Sequence, residues 1–269
     1  MESELVRLIL AVQAVLNWDA APPPEYPGAS RHIETTVYLE AAEPQLWRGH
    51  AVMLADDLEG WVQYLRDDGV QEVKLVRFGY CEADGLSGQL RMLEGFAGGG
   101  AEWAAEMHSP EDVTYWSSRL DHFPGASHEE IILRQAVWRF DPVTECPADY
   151  GPANLDTAAV ALREALVDII AYARSEPDLD LSHWVDDSFQ PALDILGGAQ
   201  EGEMFEANLA WSERRALLEA STMAWVFGGM GSWNDFYPSE EKAAEYERVS
   251  EALYRAIQDA QLAAVNAEI

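Results

Sequence analysis

The sequence predicts a mostly helical α+β fold, with a small β-sheet in the first half and a helical bundle in the second. Three observations carry this expectation. Residues 156–266 repeat apolar positions at helical spacing almost throughout. Two stretches of the first half, 33–39 and 71–78, are rich in β-branched residues or alternate apolar with polar. Between the halves, residues 141–155 (DPVTECPADYGPANL) contain Pro142, Pro147, Gly151 and Pro152, a composition that interrupts regular structure. The expected organisation is an α+β part over 1–145 and a helical bundle part over 150–269.

Residues 2–17 read as a helix with Leu5, Leu8, Ile9, Val12, Val15 and Leu16 on one stripe. Pro22, Pro23 and Pro24 then force an extended loop. A strand follows over 33–39 (IETTVYL), then a helix over 51–66 that stops at Gly69. Residues 71–78 read as a second strand, and 87–96 and 101–107 as helices. Ser109-Pro110-Glu111-Asp112 has the form of a helix start, with a capping serine, proline at the first position and acids in the first turn. That helix is expected to reach Leu120. Residues 128–140 combine a helical beginning with a strand-like end. In the second half, helices are expected over 156–174, 182–196, 203–227 and 239–266, with a kink at Pro191 and stops at Gly197 and Gly228. Short connections between four helices suggest a bundle.

The chain has 269 residues, 48% of them hydrophobic, which suffices for a packed core. Its formal net charge is −31. The excess is even: 26 acids and 10 bases in residues 1–150, and 22 acids and 7 bases beyond. The field therefore belongs to the folded body and not to a tail. Such a charge repels phosphate backbones and anionic bilayers, so neither nucleic acid nor a membrane is an expected partner. A basic protein surface is the favoured one. The bland alternative is environmental adaptation, consistent with only two lysines, Lys74 and Lys242, beside fifteen arginines. Cys81 and Cys146 are too few for a disulfide framework, and the acidic start Met1-Glu2-Ser3-Glu4 lacks the basic region of a signal peptide. The apolar stretch from Leu5 to Leu16 is too short to span a bilayer. A cytoplasmic location is the simplest expectation.

No zinc-protease, nucleophile-elbow, Walker or dinucleotide-binding motif occurs. No cofactor, metal or catalytic residue is therefore expected for the leading reading. Asp121-His122 and His128-Glu129-Glu130 have no visible nucleophile partner and read as surface decoration. His183, Asp186 and Asp187 fall within one helical turn, a spacing that could hold a metal or an imidazolium. The competing explanation is a helix start at Ser182 whose first turn carries acids that suit the helix dipole. His108 with Glu111 and Asp112 repeats the pattern more weakly. Ten tryptophans are spread along the chain, and most are expected to anchor the core.

The most distinctive segment is Val226-Phe-Gly-Gly-Met-Gly-Ser-Trp-Asn-Asp235. Its glycines permit a tight reversal between two helices, Asn234 and Asp235 can bond the turn backbone, and Trp233 can fold back against the bundle. Read functionally, it is a recognition loop that offers Trp233, Asn234 and Asp235 to a partner, with Asp186 and Asp187 as further partner contacts. Together with the acidic helix EEKAAEYERVSEALYRAIQDA, this segment resembles the C-terminal end of uncharacterised bacterial proteins similar to immunity proteins of polymorphic toxin systems. The likeness covers only the C-terminal segment. It implies an acidic cytoplasmic protein that neutralises a toxin by covering its active surface.

The leading expectation is thus an acidic, non-catalytic binding protein, an immunity-type inhibitor of a basic toxin. The alternatives are a metal-dependent hydrolase using His183 with Asp186, Asp187 and His108, and a helical adaptor that self-associates.

Overall fold

The computed structural model describes residues 9, 13, 33–38, 53–55, 58–78, 102–124, 131–140, 142, 148–176, 179, 181–199, 212–228 and 232–267. The chain divides into two compact units, Met1–Phe78 with Trp103–Ala148, and Gly79–Glu102 with Asp149–Ile269. The fold class is α+β with a sheet in the first unit and helices in the second, as the periodicities require.

In the first unit, six strands form one mixed sheet in the order β2-β1-β6-β5-β4-β3. The strands are β1 (Ile33–Tyr38), β2 (Met53–Ala55), β3 (Glu72–Phe78), β4 (Glu102–His108), β5 (Val113–Pro124) and β6 (Ile131–Phe140). Among the described residues of this unit, α1 (Leu58–Asp67) is a helix, and Ile9 and Gln13 are also helical. β1 runs parallel to β6 and antiparallel to β2, while β4, β5 and β6 are antiparallel neighbours.

The sheet is larger than the sequence predicts, because two expected helices are strands. Glu102–His108 contains good helix formers, yet it alternates in register against Val113–Trp116. The apparent helix start at Ser109 is a reversal between strands. The Ser109 N–H donates to the Asp112 carbonyl at 3.0 Å, and the Asp112 N–H donates to Ser109 Oγ at 3.1 Å. Serine followed by proline suits the first two positions of a β-turn as well as a helix cap, so local chemistry does not discriminate. Cross-strand pairing decides it, since Val113, Thr114, Tyr115 and Trp116 are strand formers that fill a half-buried pleat. The expected helix over 51–66 is likewise split into β2 and α1.

Each sheet face has its own packing. On one face, Trp116 meets Trp61 and Tyr64 of α1 at ring-centroid distances of 5.5 and 6.3 Å. On the other, Val76, Phe78, Ala104, Ala136, Trp138 and Phe140 form a buried cluster with Tyr115 against it. β3 therefore carries apolar residues on both sides and is buried almost continuously.

The second unit is helical: α2 (Leu155–Ser175), α3 (Ser182–Trp184), α4 (Gln190–Leu196), α5 (Ser212–Met223) and α6 (Ala243–Asn266). Asn154 caps α2 by accepting the Asp156 N–H at 2.7 Å, and Ala158, Leu162, Leu166, Ile169 and Ala173 form its buried stripe. α6 is the centre of this unit. From Ala256 onward nearly every residue is buried, and the helix packs chiefly on α2 and then on α5. Gly151 lies close enough to α6 that a Cβ there would stand 2.6 Å from Leu262 Cβ. Its φ of +71° is also one that side chains resist, so only glycine fits.

The kink expected at Pro191 takes a specific form. Val185–Phe189 is a π-helical turn between α3 and α4, with the Gln190 N–H donating to the Val185 carbonyl five residues back. Pro191 has no N–H for the carbonyl of Asp187, so the ladder loses a bond there and widens by one residue. The expected helix at 87–96, Gly98–Gly100, His128–Glu130 and residues 203–211 lie outside the described residues. So do Trp18, Trp47 and Trp211.

Candidate partner-binding surface

The loop between α5 and α6 is built around one ring. Trp233 opens a single 3-10 turn, Trp233–Asp235, and is 0% exposed. Its backbone N–H donates to the Val226 carbonyl at 3.0 Å, which closes the glycine-rich reversal. Its indole Nε1 donates to Ser250 Oγ at 2.8 Å, and the Tyr246 hydroxyl donates to its carbonyl at 2.6 Å. Tyr246 stacks on the indole at 5.7 Å, while Phe189 and Tyr172 meet it edge-on at 5.4 and 6.4 Å. Of the two readings of Trp233, the one that faces it to a partner is corrected, and the one that folds it back against the bundle holds. An indole with its donor satisfied and rings on several sides is an internal anchor.

Asn234 is half-buried and Asp235 is exposed. The exposed ring is Tyr237, 86% exposed and missed by sequence reasoning. It follows the half-buried Phe236, which packs on Tyr246 at 5.5 Å. Exposed Glu240 and Glu241 follow it in turn. The available signal was its place beside Pro238 in a short linker between two helices, where no helical stripe can bury it.

Asp186 and Asp187 are both exposed on the π-helical turn. Phe189 of the same turn touches Trp233, so the two carboxylates and the Tyr237 loop are fixed to one aromatic cluster. Asp186 also lines a cavity of about 220 Å³ whose apolar contributors are Ala173, Leu181 and Val185 and whose charged ones include Arg174 and Glu176. Lys242 links Glu176 to α6: its Nζ lies 3.2 Å from Glu176 and 3.4 Å from Glu245. Those two hydrogen bonds raise the pKa of the lysine.

Burial, then the charges of Glu176 and Glu245, push the Tyr172 phenol up from 10.0 to about 12. Tyr246 moves in the same direction, mainly through burial. A raised phenol pKa means that the folded state favours the neutral ring. This contribution is fully present below pH 10 and is lost as pH climbs through about 12. The thermal midpoint of the helical unit should therefore fall over that window, and Tyr172→Phe should flatten the fall. Equal slopes for the two proteins would remove Tyr172 from the account.

His183 is exposed and its ring lies 4.7 Å from that of Trp184. Among the described residues, no group of three or more His, Cys, Asp or Glu side chains is placed to hold a metal ion. His108 is paired with Glu106 on β4 and not with Glu111 or Asp112. No described helix is long and apolar enough to cross a membrane. In comparisons with known proteins, no family model, curated protein or solved structure matches this chain.

Proposed function

We propose that this is an acidic, non-catalytic binding protein that docks on a basic protein, in the manner of an immunity-type inhibitor covering a cationic toxin surface. The observation that carries the reading is Tyr237, an almost fully exposed aromatic ring flanked in sequence by exposed Asp235, Glu240 and Glu241 on a loop anchored by a buried tryptophan. Exposed aromatic side chains on rigid supports make strong binding anchors, because little entropy is lost when they are buried. Surrounding carboxylates steer a cationic partner and exclude anionic ones. Asp186 and Asp187 extend the same chemistry along the π-helical turn.

The test is binding of the purified protein to the basic product of an adjacent gene, measured at low and high ionic strength. Tyr237→Ala should weaken binding by about 2 kcal/mol or more without lowering the thermal midpoint. Asp186→Asn with Asp187→Asn should mainly slow association and reduce its salt dependence. Binding that is indifferent both to salt and to Tyr237→Ala would overturn the proposal.

A further inference from the structure

The sheet of the first unit holds a polar constellation that the binding reading does not use. Alternation along β4 puts Ala104, Glu106 and His108 on one face, and the register sets Tyr115 opposite Glu106 and Val113 opposite His108. The Glu106 side chain is 2% exposed, and its Oε1 lies 2.6 Å from His108 Nε2. Tyr115 is also hydrogen-bonded to Glu106; burial first, then the charge of Glu106 and that hydrogen bond, raise the pKa of the phenol. A carboxylate buried to this degree is costly unless donors surround it. Two of its partners are the His108 imidazole and the Tyr115 phenol.

That arrangement fixes the histidine. An ionised carboxylate only accepts, so with Glu106 ionised and the ring neutral the short contact requires the proton on Nε2 and leaves Nδ1 with its lone pair. His108 is the last residue of β4, immediately before the 109–112 turn, and its side chain is 32% exposed. Among the described residues, Nδ1 has no hydrogen-bond partner. Behind the half-open ring stands a buried carboxylate that orients it.

We infer that His108 is a proton-acceptor site for water or a small hydroxyl-bearing molecule at the rim of the sheet, with Glu106 as its positioning residue. The ligand O–H bond breaks, the proton binds Nδ1, and the electron pair stays on the oxygen. The resulting imidazolium keeps its Nε2–H on Glu106, and Nδ1 returns its proton to that oxygen before the molecule leaves. This inference does not depend on the partner-binding proposal.

The full-length protein provides the test. Nitrogen NMR of wild-type His108 should show the neutral ring as the Nε2–H tautomer. Diethyl pyrocarbonate, followed by peptide mass spectrometry, should carbethoxylate His108 at Nδ1. Glu106→Gln, whose amide can donate to the ring and reverse the tautomer, should slow that modification by about tenfold. An Nδ1–H tautomer in the wild type would overturn the inference. So would an unchanged rate in a Glu106→Gln protein with wild-type circular dichroism. Should that variant not fold, the wild-type tautomer decides alone.

Discussion

Trp233→Ala is expected to destabilise the helical unit by about 3–5 kcal/mol, the range for emptying a buried large aromatic site. The indole is fully buried and contacts Tyr172, Phe189, Phe236 and Tyr246, so its removal leaves several rings facing a void. Ser250, itself 0% exposed, also loses the indole N–H that it accepts. Denaturant unfolding should show a lower midpoint. Trp233→Phe separates the two causes, because it keeps most of the packing and removes the hydrogen bond, so its loss should be the smaller. A Trp233→Ala protein within about 1 kcal/mol of wild type would mean that the cluster collapses without cost, which interiors this dense do not do. The comparison with Tyr237→Ala is informative as well. The alanine at 233 should reduce stability and binding together, whereas the one at 237 should reduce binding alone.

Arg214→Ala is expected to cost about 2–4 kcal/mol, from two backbone acceptors left buried and unpaired. Arg214 lies in α5 with 8% of its surface exposed. Its Nε donates to the Ala264 carbonyl and its Nη2 to the Val265 carbonyl at 2.9 Å. These carbonyls belong to the last turn of α6, where the helix lacks internal donors and its dipole is negative. The guanidinium thus caps from another helix what α6 cannot cap itself. Burial lowers its pKa, yet an arginine stays charged. Arg214→Lys should recover only part of the loss, since an ammonium cannot reach two successive carbonyls with the same planar fork. A shift in denaturant midpoint without a change in slope is the expected signature. Equal stability of Arg214→Ala and wild type would show that water replaces the guanidinium at that helix end.

Sequence by itself determined the elements whose periodicity agrees with their surroundings. α2 and α6 were readable because a long helix must place apolar residues every three or four positions to bury one side. β3 was readable from its alternation, and the class α+β followed from those patterns together. The exposed carboxylates Asp186 and Asp187 were also legible, since acids in a first helical turn favour solvent. Tertiary structure alone decided the rest. Residues 102–124 carry a helix-start signature, yet they pair as β4 and β5 because pairing across the sheet outweighs propensities of a few tenths of a kcal/mol per residue. Only that pairing brings Glu106, His108 and Tyr115 together. Two nearby rings show the same limit: the sequence left Trp233 open between folding back on the bundle and facing a partner, and gave no reading of Tyr237, yet the first is buried and the second is open. Which aromatic a loop buries depends on the hole its neighbouring helices leave, and here Ser250, Phe189 and Tyr172 shape a hole for an indole. Local sequence carries no record of a cavity assembled from distant segments.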